Sequence, residues 1–179
     1  VVVLEAHTVP IDKCCGEGIM PRGVSALAAM GVVLPIAARL SRLRYVEPSG
    51  HSIEAELPDG GALGVRRLVL STSLVAHALA TGVELRTTTR VSGLRADGRL
   101  MHLRIEPKGG ARLDTLAARL VVGADGLGSP TRRLAGMTTT VDGRRYGLRR
   151  HLAVAPWFAG VEVHFGEALL RLEEDLADL

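Results

Sequence analysis

Residues 120–136, LVVGADGLGSPTRRLAG, constrain the fold of this chain more than any other stretch. The apolar run Leu120–Val122 predicts a buried strand, and Ser129 followed by Pro130 predicts the N-cap and first residue of a helix. Glycines between them allow the backbone to turn sharply and to approach a ligand closely: Gly123, Gly126 and Gly128. Asp125 can accept hydrogen bonds from hydroxyl groups, and a helix N-terminus favours an anionic group. The stretch therefore predicts either a ligand-binding turn of an α/β fold or an ordinary strand–turn–helix connection.

The opening residues, VVVLE, carry a second signal. Val1–Glu5 is typical of a buried parallel strand that ends in an acid. In dinucleotide-binding βαβ units, an acid at the end of the second strand accepts hydrogen bonds from a ribose, about 20 residues after a G-x-G-x-x-G turn. If Glu5 is that acid, the glycine turn precedes residue 1 and the chain begins inside such a unit. The alternative is that Glu5 is only the polar end of a strand.

The rest of the chain mixes helical patterns with antiparallel ones. Apolar periodicity and glycine stop signals predict helices at Gly23–Met30 and Leu68–Ala80. Strands with turns between them are predicted in five places: 43–57 around a Pro-Ser-Gly turn, 83–85, a meander over 89–118, 145–154 and 161–165. This order predicts an α/β core that is interrupted by an antiparallel region.

Composition narrows the class of protein. Hydrophobic residues make up 47% of the chain, which predicts a folded core, whereas aromatic residues make up only 3% and leave few stacking surfaces for nucleic acid. Scattered arginine pairs suit bound phosphates or carboxylates better than a nucleic-acid duplex. The adjacent Cys14 and Cys15 predict a reducing compartment, and no apolar run is long enough to span a membrane. The histidines show no metal-binding spacing, so we predict no metal site.

Several segments resemble one family of flavoproteins. GADGLGSPTRR resembles the Asp-Gly motif of monooxygenases and reductases of the p-hydroxybenzoate hydroxylase and geranylgeranyl reductase type. Residues 12–32, DKCCGEGIMPRGVSALAAMGV, resemble a loop and helix of the reductase-like branch, where Lys13 and the Cys-Gly-Glu-Gly segment lie close to the flavin. Residues 64–85 resemble the segment in which an Arg precedes a helix packed on the FAD domain, and Arg67 best fits that Arg. GLRRHLAVAPW and VEVHFG resemble strands of the substrate lobe, so the resemblance covers about residues 1–166.

The resemblance implies an α/β fold, in which an incomplete Rossmann-like FAD-binding domain carries an inserted antiparallel β substrate lobe. The FAD-binding domain would comprise residues 1–42 and 63–136, with a β meander at 89–118. The lobe would comprise residues 43–62 and 137–179. Cofactor-binding roles are implied for six residues: Glu5, Lys13, Arg67, Gly123, Asp125 and Gly126.

The implied function of the intact protein is that of an FAD-dependent oxidoreductase. It would be a monooxygenase or reductase that uses NAD(P)H on a small organic or isoprenoid-like substrate in the cytoplasm, with peripheral membrane contact if that substrate is a lipid. The motifs identify no catalytic acid or base, and they leave the oligomeric state open. The glycine fingerprint and the family's later Gly-Asp motif are missing, so we expect an internal piece that is inactive by itself. Two alternatives stay open: a non-catalytic flavoprotein fragment, and a plain NAD-binding dehydrogenase, against which the Asp-Gly motif and the meander argue.

Overall fold

The structure is a computed structural model that describes residues 1–109, 114–137 and 147–166 of the 179-residue chain. The described residues form three helices: α1 (Pro21–Ala29), α2 (Arg67–Ala80) and α3 (Pro130–Leu134). They also form eleven strands: β1 (Val2–Leu4), β2 (Gly18–Ile19), β3 (Ala38–Leu40), β4 (Arg42–Val46), β5 (Ser52–Glu56), β6 (Ala62–Gly64), β7 (Glu84–Arg86), β8 (Thr89–Asp97), β9 (Leu100–Pro107), β10 (Asp114–Ala118) and β11 (Gly160–His164). None of the three helices combines the length and the apolar character that crossing a bilayer requires.

One structural unit comprises Val1–Lys13 and Leu74–Gly147. In this unit β1 pairs in parallel with β7, and β8, β9 and β10 form an antiparallel meander in the order β10–β9–β8. Leu103 and Ile105 are the buried residues of β9. They are two positions apart and so lie on one face of the meander, which gives this unit its small aliphatic core.

The second unit comprises Cys14–Ser73 and Leu148–Leu179. It contains two three-stranded sheets, one in the order β2–β6–β3 and the other in the order β11–β4–β5. β4 and β5 are antiparallel, whereas β11 runs parallel to β4, so the second sheet is mixed. The buried apolar residues of this unit come from α1, from the turn that follows it and from the chain around β6: Leu27, Val32, Ala62 and Val65.

The two longer helices end where a glycine allows a left-handed backbone. Helix α1 has Pro21 at its first position, where the missing N–H costs nothing. Beyond its last residues Gly31 has φ +75°, and Gly82 has φ +82° after α2. Left-handed glycines of this kind let the chain leave a helix without a steric penalty.

Most predicted elements are confirmed, including both helices, the 43–57 hairpin and the Asp97-Gly98 turn of the meander. Two predicted strands are wrong. Leu120–Val122 forms no strand, and of the predicted strand 145–154 the described residues, from 147 onward, form none. Neither segment has a hydrogen-bonding neighbour strand among the described residues, and an apolar run becomes a strand only where such a neighbour exists. The mixed α/β content agrees with the predicted fold class, while the division into an FAD domain and a substrate lobe stays a prediction.

Candidate functional site

The first candidate region, in the first unit, is the turn that contains Asp125. Ser129 caps α3, because its Oγ accepts a hydrogen bond from the backbone N of Arg132 at 2.9 Å. The same hydroxyl donates to Asp125 Oδ1, and the backbone N of Thr131 donates to Asp125 Oδ2 at 2.8 Å. The predicted cap and helix start are therefore confirmed, and the anion that this helix start attracts is the chain's own carboxylate.

These contacts determine the charge of Asp125. Partial burial acts to raise its pKa, but the hydrogen bonds from Ser129 and Thr131 outweigh burial and lower the pKa to about 2. The side chain is therefore a carboxylate at neutral pH. Each carboxylate oxygen can accept more than one hydrogen bond, so Asp125 can still accept from the hydroxyl groups of a ligand.

The glycines beside Asp125 have different local roles. Gly126 has φ +79°, a conformation that most other residues adopt only with strain. A Cβ on Gly123 would lie 3.0 Å from Thr131 Cγ2, so glycine here lets the turn close onto α3. Both Gly123 and Asp125 line a cavity of about 550 Å³, a volume within the usual range of small-molecule sites. Its apolar lining includes Leu94, Met101, Val121 and Met137.

Glu5 lies at the end of β1 in the same unit, as predicted. Its backbone N donates to Arg86 O at 2.9 Å, which continues the pairing of β1 with β7. Its Oε1 accepts from the backbone N of His7 at 2.9 Å and lies 2.9 Å from His7 Nδ1. No described residue donates to Oε2, so this carboxylate has an oxygen with which to accept a ribose hydroxyl. Lys13 is exposed in the connection between β1 and β2.

The second candidate region, in the second unit, is centred on Glu17 of the Cys-Cys-Gly-Glu-Gly segment. Its backbone has φ +55°, which is uncommon for a residue with a side chain and costs about 1 kcal/mol or more. Its N–H donates to Cys15 Sγ at 3.5 Å, and its carbonyl accepts from the backbone N of Val65 at 2.7 Å. Strain of this kind persists only where surrounding contacts hold the backbone in place.

The Glu17 carboxylate accepts hydrogen bonds from residues of two segments that are distant in the sequence. Oε1 accepts from the backbone N of Arg67 at 2.7 Å and from Arg149 Nη1 at 3.1 Å. Oε2 lies 2.7 Å from His151 Nε2. The hydrogen bond from the Arg67 backbone contributes most to a lowered pKa of Glu17, with His151 and Arg149 adding to it against an opposing effect of burial. Glu17 is therefore an ionised, mostly buried carboxylate at neutral pH.

His151 lies between this carboxylate and a cation. Its Nδ1 is 3.1 Å from Arg66 Nη1, and a guanidinium can only donate. Nδ1 must then be the acceptor, which leaves the proton on Nε2, directed at Glu17. We name Glu17, Arg66, Arg67, Arg149 and His151 the Glu17 cluster.

Arg67 is the first residue of α2, at the position the sequence predicted for a cofactor-binding arginine. Its Nε is buried, yet it has no hydrogen-bond acceptor among the described residues. Leaving a buried donor unpaired costs about 1–3 kcal/mol, so an oxygen-rich ligand that reached this nitrogen would offset that cost. The orphaned nitrogen fits the anionic and hydroxyl-bearing parts of a dinucleotide cofactor.

Arg67 and Asp125 are predictable from sequence motifs, whereas Glu17, whose carboxylate accepts from the backbone N of Arg67, is not among the predicted site residues. The Cys-Gly-Glu-Gly segment is recognisable only by its resemblance to the family. The available signal was an acid between two glycines. Flanking glycines allow an unusual backbone conformation, and an acid in such a conformation indicates that its side chain has a specific role. His151 lies in no strand, whereas His164 is the last residue of β11.

This chain has recognisable relatives among known proteins. A family model described as FAD binding domain matches residues 1–174. Digeranylgeranylglycerophospholipid reductase of Methanosarcina acetivorans is 34% identical over 115 residues, which are 59% of this chain and 26% of that protein. Menaquinone reductase of Mycolicibacterium smegmatis is 27% identical over 146 residues, which are 77% of this chain and 34% of that protein. The chain thus spans about a quarter to a third of the length of these curated relatives.

Solved structures share the fold. The p-nitrophenol 4-monooxygenase PnpA from Pseudomonas putida DLL-E4 superposes with a TM-score of 0.66 at 22% identity, covering 75% of this chain and 37% of that chain. The flavin-dependent monooxygenase PieE, crystallised with FAD and substrate, gives a TM-score of 0.63 at 16% identity, covering 75% and 27%. At these identities the likeness establishes the fold alone.

Proposed function

Since the chain belongs to the FAD-binding domain family, we propose that the whole protein is an FAD-dependent oxidoreductase. The observation that carries cofactor binding is the buried Nε of Arg67, which has no acceptor among the described residues. Arg67 would donate to an oxygen of FAD, while Glu5 and Asp125 would accept from its hydroxyl groups. Lys13, Gly123 and Gly126 complete the proposed contacts. When bound, FAD supplies the exchange of electrons or hydride between NAD(P)H and the substrate.

Within this class we propose a reductase that saturates carbon–carbon double bonds of an isoprenoid-like substrate. The relatives above 30% identity are named as reductases of a digeranylgeranyl lipid, whereas the monooxygenases named above share only the fold. The proposed substrate lobe comprises residues 43–62 and 137–179, and the remaining FAD-binding part comprises 1–42 and 63–136.

One face of the mixed sheet in the second unit is apolar, which supports the proposal of an apolar substrate. Cross-strand pairs place the apolar side chains of β4, β5 and β11 on one face: Leu43, Tyr45, Ile53, Ala55, Val161 and Val163. Tyr45 stacks on Phe165 with ring centroids 5.7 Å apart, and the side chain of Ile53 is 77% exposed. The opposite face carries ion pairs of Arg44 with Glu54 and Glu162, both at 2.8 Å. A sheet so divided presents one apolar surface to which a prenyl chain can bind.

The cofactor assignment is tested by spectroscopy on the purified full-length protein. We expect a flavin absorbance spectrum that bleaches when NADH or NADPH is added without oxygen. Arg67→Ala should lower the FAD content, whereas Arg39→Ala, which removes an exposed arginine of the same unit, should not. A full-length protein that binds no FAD would show the proposal to be wrong.

The substrate class is tested by product analysis. The reduced enzyme is mixed with a geranylgeranylated glycerophospholipid without oxygen, and separately with a small phenol in the presence of dioxygen. The masses of the products are then measured by mass spectrometry. We expect the prenyl lipid to gain two hydrogen atoms for each double bond reduced. Addition of an oxygen atom to the phenol, with no change in the lipid, would replace the reductase assignment with a monooxygenase.

A further inference from the structure

We propose that Glu17 is a positioning residue for Arg67, because its carboxylate holds the first residue of α2 and so directs the Arg67 guanidinium toward its ligand. The proposal rests on the proposed binding of FAD by Arg67. It assigns a role to the acid of the Cys-Cys-Gly-Glu-Gly segment, which stands 50 residues before its partner.

Helix α2 has no local group that could cap its start. Leu70 N donates to Arg66 O at 3.1 Å, so Arg66 occupies the N-cap position. A guanidinium has only donors and cannot accept from a backbone N–H. The first turn of α2 contains no acidic residue either. Glu17 Oε1 supplies the missing acceptor at 2.7 Å from Arg67 N, and its negative charge also suits a helix N-terminus.

The backbone of Glu17 is fixed to the same segment. Its carbonyl accepts from Val65 N at 2.7 Å, two residues before Arg67. The main chain of Glu17 thus binds Val65 and its side chain binds Arg67, so two hydrogen bonds fix the segment that leads into α2. A glycine would adopt φ +55° without strain, so the presence of an acid at this position is explained by what its side chain does.

The other members of the Glu17 cluster hold the carboxylate still. Arg149 Nη1 donates to Oε1, and His151 Nε2 donates to Oε2. Arg66 in turn donates to His151 Nδ1, which fixes the orientation of the ring. Since both carboxylate oxygens are engaged, Glu17 cannot rotate away from Arg67 without breaking several hydrogen bonds.

These contacts determine the orientation of the Arg67 guanidinium. Its Nε is buried, so its direction depends on where the backbone of residue 67 is held. A long side chain on a frayed first turn would lose that direction, and a bound ligand would have to restore it at the expense of affinity.

The test compares FAD dissociation constants, measured by flavin fluorescence quenching, among variants of the full-length protein. We expect Glu17→Ala to weaken FAD binding by about tenfold, which corresponds to about 1.4 kcal/mol. Glu17→Gln should recover much of the loss, because its amide oxygen can still accept from Arg67 N. Glu17→Gly serves as a second truncation that removes the carboxylate together with the backbone strain. The matched control is Glu54→Gln, which removes another carboxylate of this unit that binds two arginines.

A double-mutant cycle separates positioning from general stabilisation. If Glu17 acts through Arg67, Glu17→Ala/Arg67→Ala binds FAD as weakly as Arg67→Ala alone. Additive losses in the cycle, or unchanged affinity in both Glu17→Ala and Glu17→Gly while Arg67→Ala is impaired, would overturn the positioning role and leave the proposed function intact. A full-length wild type without FAD affinity would overturn both.

Discussion

Two carboxylates of this chain each bind the start of a helix, and they do so over very different sequence distances. Asp125 accepts from Ser129 and Thr131, four and six residues further along the chain. Glu17 accepts from Arg67, 50 residues away, and from side chains more than a hundred residues away. The Asp125 contacts could be predicted because a cap is a local pattern of residue types. The Glu17 contacts could not, since no local pattern tells which distant backbone N–H will face an acid.

The depressed pKa of Asp125 makes a prediction about acid stability. Its ordinary pKa is 3.8 and its folded-state pKa is about 2, so between these values the unfolded chain binds more protons than the folded one. The stabilisation by Asp125 is therefore complete above about pH 4 and is lost as the pH falls from 3.8 toward 2. We expect Asp125→Asn to lower the urea concentration at which half of the protein is unfolded at neutral pH. At about pH 3 we expect a smaller difference in this midpoint between the variant and the wild type.

The donors to Asp125 provide the internal check. Ser129→Ala removes one of the two principal donors, so it should reproduce part of the neutral-pH loss and part of the narrowing. A gap between wild type and Asp125→Asn that stays constant from neutral pH to about pH 3 would contradict the pKa assignment.

Among the elements, the sequence predicted best those whose partners are near in the chain. The β4–β5 hairpin and the β8–β9 pair follow their turns closely, and α1 and α2 carry their own stop glycines. The short strands β2, β3 and β6 were not predicted; they have two or three residues each, and their partners lie in distant parts of the chain. Leu120–Val122 was predicted as a strand from its apolar character. Leu120 and Val122 are each 77% exposed, so apolar character without a pairing strand was misleading.

The two-faced sheet predicts where substitutions affect an apolar substrate. Ile53 and Ser52 are neighbours in β5, both exposed, and successive side chains of a strand point to opposite faces. We expect Ile53→Asp to raise the KM for a prenyl substrate several-fold, with the FAD dissociation constant unchanged. Ser52→Asp adds the same charge to the ion-paired face and should leave both constants as they are. Equal KM values for the two variants would show that this face does not bind the substrate.

For the molecule as a whole, the order of motifs predicted the family more securely than any single motif. Glycine turns and helix caps are favoured by local backbone geometry, so they can be recognised without knowing the fold. The catalytic groups have no such local requirement, and the chain spans only about a quarter to a third of its curated relatives. The substrate and the electron donor accordingly stay proposals, while the cofactor class can be examined directly through the stability of the protein.

A ligand that binds only the folded state raises the free energy of unfolding by RT ln(1 + [L]/Kd), about 2.7 kcal/mol at a hundredfold excess over Kd. We therefore expect FAD to raise the melting temperature of the apo form of the full-length protein, and we expect this increase to exceed the one that NAD⁺ produces at the same concentration. Asp125→Ala should shrink the FAD-dependent increase, because it removes a carboxylate that lines the cavity of the first unit. The control is Asp97→Ala, which removes an exposed turn carboxylate of that unit paired with Arg95 at 2.9 Å and should keep the full increase. An increase produced by NAD⁺ and not by FAD would identify a plain NAD-binding protein, and an equal FAD response in both variants would remove Asp125 from the cofactor site.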